Sequence, residues 1–177
     1  MVHSNSFVPT PNPVTPEVGE DGLVYAFEPR ALSESQLDND NLKNVKVIPK
    51  ALWNKKTMLY FVENGGRTLV STQKAQCSTK VEGISIDEFI QENYINNLEL
   101  IKFDIEGAEM EGLRGGEQSI KRFRPKLVIS LYHKLEHYFE IPIYLNSILP
   151  DYRFKLGLNN PFCVGTLLFA FPTEDHE

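Results

Sequence analysis

Cysteine is scarce in this 177-residue chain, with Cys77 and Cys163 its only two. Two cysteines make no disulfide framework, and neither belongs to a metal-binding spacing. Both are expected to stay reduced, which favours a cytoplasmic location. Long apolar runs are lacking as well: no stretch reaches the roughly 20 residues of a bilayer-spanning helix, so no membrane association is expected. The opening MVHSNSFVPTPNP has neither the basic block nor the apolar block of a secretory signal. Positive charge is not in excess. Lys and Arg number 18 against 24 Asp and Glu, a net charge of −6, so the cations for gripping a phosphate backbone are missing and no nucleic-acid partner is expected. The longest basic cluster, KRFRPK at 121–126, reads as a helix end beside its partial negative charge. No P-loop, nucleophile elbow or HExxH pattern is present. Neither Gly65-Gly66 nor Gly115-Gly116 follows a strand and opens a helix as phosphate-cradling glycines do, so both are read as turn glycines.

What is present is an ordinary globular composition, 41% hydrophobic and 24% charged, on a chain long enough for one domain with a genuine core. Residues 1–19 carry Pro9, Pro11, Pro13 and Pro16, and are expected to form an arm or linker rather than a helix or inner strand. The remainder, 20–177, alternates strand and helix patterns. GLVYAFEP (22–29), VKVIPKAL (45–52), LELIKFDI (98–105) and PKLVISLYH (125–133) read as strands. KTMLYFV and TLVST flank ENGGR as a hairpin, and 152–160 with 164–172 form a second antiparallel pair. Helices are expected at 31–42, at 85–95 behind a Ser cap, at 109–123, and at 134–149 with an interruption near Pro142. This order predicts an α/β protein with a mostly parallel sheet and an antiparallel edge. Ligands of such sheets sit beyond the carboxyl ends of the strands.

Acidic residues gather at one such end. In KFDIEGAE, Asp104 and Glu106 are two apart on an extended chain and share a face, while Gly107 permits a sharp turn and Glu109 falls at a helix start. Converging carboxylates repel one another, and one of them can serve as a general base, hold a cation, or fix a substrate amine or hydroxyl. The structural alternative is capping plus ion pairs to Lys102, Arg114 or Lys134. His133 closes the neighbouring strand and either accepts a proton from a hydroxyl or is simply structural. His137, one turn on, either shares that cleft or faces solvent. Tyr132 should alternate to the core side. Glu28, ending VYAFEP, either accepts the two hydroxyls of a ribose or favours a following helix start. Asp87 is expected to cap a helix.

Taken in order, VYAFEP, NVKVIPKALWN, ISIDEFI, LIKFDIEGAEMEGLRGG, RPKLVISLYHK and TLLFAF resemble the FkbM family of S-adenosylmethionine-dependent methyltransferases over roughly residues 22–171. The resemblance implies a Rossmann-like methyltransferase sheet with a terminal antiparallel hairpin. It implies methyl transfer to a hydroxyl of a sugar, lipid or polyketide-like small-molecule acceptor, with S-adenosylmethionine as cofactor. By the same resemblance Glu28 would bind the cofactor ribose, Ala51 and Leu52 would lie against the adenine, and Asp104 and Glu106 would line the cleft near the sulfonium. Asp104, Glu106 and His133 would be catalytic, with Glu109 and His137 on the acceptor side; no metal ligand is implied.

The sequence departs from the family pattern ahead of VYAFEP. There the family carries a strand and a D-x-G-A-x-x-G turn, whereas this chain has TPNPVTPEVGEDG. The first strand and helix, together with the turn cradling the methionine end of the cofactor, are therefore expected to be missing. A sheet without its central strand exposes two rows of backbone groups. It could be closed by the arm, by a new strand order, or by another copy in a homo-oligomer. The competing functional expectation is an inactive, truncated methyltransferase-like domain that binds an acceptor or a partner protein.

Overall fold

The computed structural model describes residues 2–4, 22–29, 44–64, 67–73, 78–158 and 165–173. The expected helix at 31–42 and most of the 1–19 arm lie outside them. The strands are β1 (Val2–Ser4), β2 (Val24–Phe27), β3 (Val45–Ile48), β4 (Ala51–Leu52), β5 (Thr57–Asn64) and β6 (Arg67–Ser71), then β7 (Thr79–Ile84), β8 (Leu100–Phe103), β9 (Lys126–Ser130), β10 (Tyr152–Leu158) and β11 (Thr166–Pro172). The helices among the described residues are α1 (Ile86–Glu92), α2 (Glu109–Gly115), α3 (Glu117–Phe123) and α4 (His137–Ile148). No helix among the described residues is long and apolar enough to cross a membrane.

The architecture is mixed α/β, with two sheets among the described residues. A seven-stranded sheet has the order β10-β11-β9-β8-β1-β2-β3, and a four-stranded sheet has the order β4-β7-β5-β6. In the larger sheet the pairings from β3 through β2, β1 and β8 to β9 are parallel. Those of β9 with β11 and of β11 with β10 are antiparallel, as expected for the terminal hairpin. In the smaller sheet β4 and β7 pair in parallel, whereas β5 pairs antiparallel with both β6 and β7.

Three expectations are corrected here. The sheet is not missing its central strand, because Val2–Ser4, part of the supposed arm, pairs with β2 on one side and β8 on the other. Those three residues precede the first of the prolines, so nothing in their composition opposes an inner strand. VKVIPKAL is two strands in different sheets. Pro49 cannot donate to a ladder, and around it the Lys50 amide donates to the Ile48 carbonyl at 2.8 Å, turning the chain from one sheet to the other. Pro142 does not interrupt its helix but sits inside α4. It removes one amide donor, while Ile141 and Leu145 on either side are fully buried and hold the helix against the core.

That core gathers Phe27 of β2, Ile101 and Phe103 of β8, Leu127 and Ile129 of β9, and Leu168 and Ala170 of β11. Against them pack Phe89 of α1, Leu113 of α2, Ile120 of α3 and Leu145 of α4. Each such side chain removed from water contributes roughly 1.5–3 kcal/mol, which is why the alternating burial of β8 and β9 fixes their register. Gly115, read as a turn glycine, instead ends α2 and has a packing reason. A Cβ on Gly115 would lie 2.1 Å from the Trp53 carbonyl oxygen, so only glycine allows the end of α2 to meet the loop after β4.

Candidate functional site

The parallel strands end at one edge, and their register sets which residues emerge there. Phe27 pairs with Ser4, Val2 with Ile101, and Phe103 with Ile129. One residue further on, Glu28, Asp104 and Ser130 stand at a common level. Glu28 and Asp104 are separated by β1, which places their backbones about 10 Å apart at ordinary strand spacing. His133 follows three residues after the end of β9. The carboxyl edge therefore collects Glu28, Asp104, Glu106, Glu109 and His133.

After β8 the chain reverses sharply. Glu106 has φ +55° and Gly107 φ +91°, two successive residues in the left-handed region. Glycine occupies it freely, whereas a side-chain-bearing residue is strained there by about 1–2 kcal/mol. A Cβ on Gly107 would also crowd the Lys134 side chain, at 2.9 Å from its Cε. This turn carries Asp104 and Glu106 at the edge and folds Glu109, the first residue of α2, back beneath it. Glu109 Oε1 accepts the amides of Ile105 at 3.0 Å and Gly107 at 3.3 Å.

The same oxygen lies 2.7 Å from His133 Nδ1. Glu109 Oε2 faces His137 Nδ1 at 3.1 Å, close enough for an ion pair although not aligned as a hydrogen bond. Glu109 is 0% exposed and His137 2% exposed. Burial alone would raise the Glu109 pKa, but the contacts from His133 and His137, the charge of His133 and its backbone partners outweigh burial and hold it down at about 2. Conversely, burial would lower the pKa of His133, yet the hydrogen bond and charge of Glu109, joined by the charges of Glu106 and Asp104, raise it above 6.5.

The other face of the His133 ring is turned outward. Its Nε2 lies 3.7 Å from Asp104 Oδ1 and 3.9 Å from Glu106 Oε2, beyond hydrogen-bond length from either. The His133 side chain is 11% exposed, that of Asp104 19% and that of Glu106 35%. Asp104 Oδ1 accepts the hydroxyls of Ser130 at 2.9 Å and Tyr132 at 2.8 Å, and Lys102 Nζ lies 3.7 Å from its Oδ2. Burial, followed by the Asp104 charge and hydrogen bond, pushes Tyr132 up to about 12, so it remains a neutral donor. Its ring also lies against the His133 ring, with centroids 4.3 Å apart.

Asp104, Glu106 and His133 are thus brought together, and Glu28 shares their edge. Ala51 and Leu52, which follow the carboxyl end of β3, are buried and pair through β4 with Gly83 and Ile84 of β7. Glu109 and His137, expected on the acceptor side, lie buried beneath that edge and face one another. Tyr132 corrects an expectation. It turns out toward Asp104 rather than into the core, because the chain has already left β9 at Leu131 and strand alternation no longer applies. Ser130 went unseen and Tyr132 was read only as a core residue; the sign of their role was a hydroxyl-bearing pair flanking Leu131 at a strand end. Among the structural alternatives, the Lys102–Asp104 pair exists, while Arg114 is paired with Glu111 at 2.8 Å instead. Among the described residues no group of three or more His, Cys, Asp or Glu is arranged to hold a metal ion.

Comparison with known proteins follows this geometry. Residues 9–156 match the family model described as the methyltransferase FkbM domain. The fold is similar to a crystal structure of the methyltransferase FkbM from Methylobacillus flagellatus KT, with a TM-score of 0.63 and 24% sequence identity over 84% of this chain. The chain spans 36% of that protein's length. No curated protein gives a significant match.

Proposed function

The chain belongs to the FkbM methyltransferase domain family, and from that premise we propose that it is an S-adenosylmethionine-dependent O-methyltransferase for a small hydroxyl-bearing acceptor. The observation that carries the reading is His133. Its Nδ1 is held by a buried carboxylate, while its Nε2, at the carboxyl edge between Asp104 and Glu106, makes no hydrogen bond among the described residues. A general base must present an available lone pair within reach of the proton it removes. Here Nε2 is that atom.

The residues present suit the cofactor's chemistry at its ribose end. Glu28 is a half-buried carboxylate at the tip of β2, level with Asp104 across β1. Two acceptor oxygens in that place can take the paired hydroxyls of a ribose. The chain after β1, where a methionine-binding turn would stand, lies outside the described residues. When bound, S-adenosylmethionine supplies a methyl group made electrophilic by its sulfonium charge. The protein's part is to bring the acceptor oxygen into line and to take its proton at His133 Nε2. Positioning accounts for most of the acceleration and the base for roughly 10²–10⁴-fold. Asp104, fixed by Ser130 and Tyr132, and Glu106 provide acceptors that orient the hydroxyl.

Calorimetric titration with S-adenosylmethionine is expected to show binding to the folded protein, and no binding would overturn the reading. It would leave an inactive domain that engages an acceptor or a partner. His133→Ala is expected to retain cofactor binding while transfer of a labelled methyl group to hydroxyl acceptors falls roughly 10²–10⁴-fold.

A further inference from the structure

Glu109 is the most heavily committed side chain of the site, and the proton transfer above does not use it directly. Its Oε1 receives three contacts, from the Ile105 amide, the Gly107 amide and His133 Nδ1. The two amides belong to the turn that Glu106 and Gly107 make with positive φ. Main-chain donors therefore fix the carboxylate where it is, independently of the imidazole. An ionised carboxylate has no proton to give, so the nitrogen 2.7 Å from it must be the donor. A neutral His133 then carries its proton on Nδ1 and its lone pair on Nε2, the atom that faces outward. Without this acceptor, Asp104 and Glu106 beside Nε2 would favour the opposite tautomer, with the proton outward and the lone pair buried.

We propose that Glu109 is the positioning residue of this site, and that the turn-anchored carboxylate holds His133 in the tautomer whose free nitrogen meets the acceptor. The proposal rests on the assignment of His133 as the base. His137 braces the second oxygen of the same carboxylate from α4. The order of dependence runs from the strained turn to Glu109, from Glu109 to His133, and from His133 to the acceptor hydroxyl. Within this order only His133 touches the acceptor; Glu109 acts through it. The groups facing His133 are Glu109 from α2, Asp104 and Glu106 from the turn after β8, and the Tyr132 ring beside it, with His137 reaching it only through Glu109.

The test is nitrogen-15 NMR of the histidine rings in the cofactor-free protein, following His133 through its titration. In the native protein the neutral ring is expected to carry its proton on Nδ1. In Glu109→Gln the side-chain carbonyl can still serve the two amides and Nδ1, so the tautomer should persist while the midpoint falls by ~1 pH unit or more. In Glu109→Ala, which removes the acceptor, the proton should move to Nε2. A native ring protonated on Nε2 when neutral, or an unchanged midpoint in Glu109→Gln, would overturn the proposal. Because these spectra need no cofactor, failure to bind S-adenosylmethionine would count against the function and leave this inference standing or falling on its own result.

Discussion

Two short helices of this molecule begin among acidic side chains, and the two beginnings work differently. At the start of α1, Ser85 and Glu88 form a reciprocal box: Ser85 Oγ accepts the Glu88 amide at 3.2 Å and the Ser85 amide donates to Glu88 Oε2 at 3.1 Å. Asp87 reaches across to α3, accepting the amides of Gln118 at 3.2 Å and Ser119 at 2.8 Å. These partners are amides and hydroxyls, which do not change charge. At the start of α2 the cap residue, Ala108, has no side chain to offer, and Glu109 takes two amides of the preceding turn together with two imidazoles. The same residue type in nearly the same place is a fastener in one case and a coupling between titrating groups in the other. The identity of the partner decides which.

The widest gap between the two should appear when each key side chain is removed. Glu109→Ala leaves the amides of Ile105 and Gly107 without their acceptor and His133 and His137 without the carboxylate between them, and breaking a buried pair in this way costs about 3–5 kcal/mol. Urea unfolding at neutral pH would measure it. A loss under about 1 kcal/mol would mean that the buried carboxylate is no more than another cap, and the contrast would collapse.

A second contrast lies in acid. Glu109 is held at about 2, below its ordinary value of 4.5, so its contribution is fully present above 4.5 and is lost as pH falls toward 2. At 1.36 kcal/mol per pH unit this comes to about 3 kcal/mol. His133 runs the other way. Its raised pKa stabilises the fold fully below 6.5, and that contribution is lost as pH rises through the raised value. Unfolding measured at pH 7, 5 and 3 should show native stability declining steeply in the last interval, with Glu109→Gln losing the Glu109 part of that decline. A mutant profile parallel to the native one would assign the acid sensitivity elsewhere.

Much of this was legible in advance, for reasons that can be traced to particular residues. The apolar runs of β8 and β9 are long and regular, and the acids of KFDIEGAE stand out because charge at the end of such a run is costly without a use. Family resemblance supplied what periodicity could not, since spacing alone left Glu28 and His133 each with two readings. Other features were invisible. Val2–Ser4 is too short to carry any periodicity, and it is recognisable only by pairing with β2 and β8, which are far away in sequence. β7 escaped because TKVEGI has only two strongly apolar residues and finds its strand character in partners on both sides. The burial of Glu109 depends on the positive φ of Glu106, a conformation no sequence pattern would assign to glutamate.

The smallest effect is the most discriminating. Ser85→Ala removes a side-chain cap and should cost about 1 kcal/mol at every pH between 5 and 9, because the Glu88 amide it serves does not titrate there. Independence of the two helix starts is not guaranteed by distance. The Ser85 Cβ lies 3.0 Å from where a Cβ on Gly115 would stand, so the beginning of α1 touches the end of the helix that Glu109 opens. If α2 is a rigid seven-residue segment, loosening α1 would tilt it and draw Glu109 away from His133. If the turn amides of Ile105 and Gly107 anchor Glu109, the tilt is absorbed before it reaches the carboxylate. The second alternative follows from the contacts on Oε1, and it requires the His133 titration in Ser85→Ala to coincide with that of the native protein. A displaced midpoint would show that the fastener and the coupling are one device.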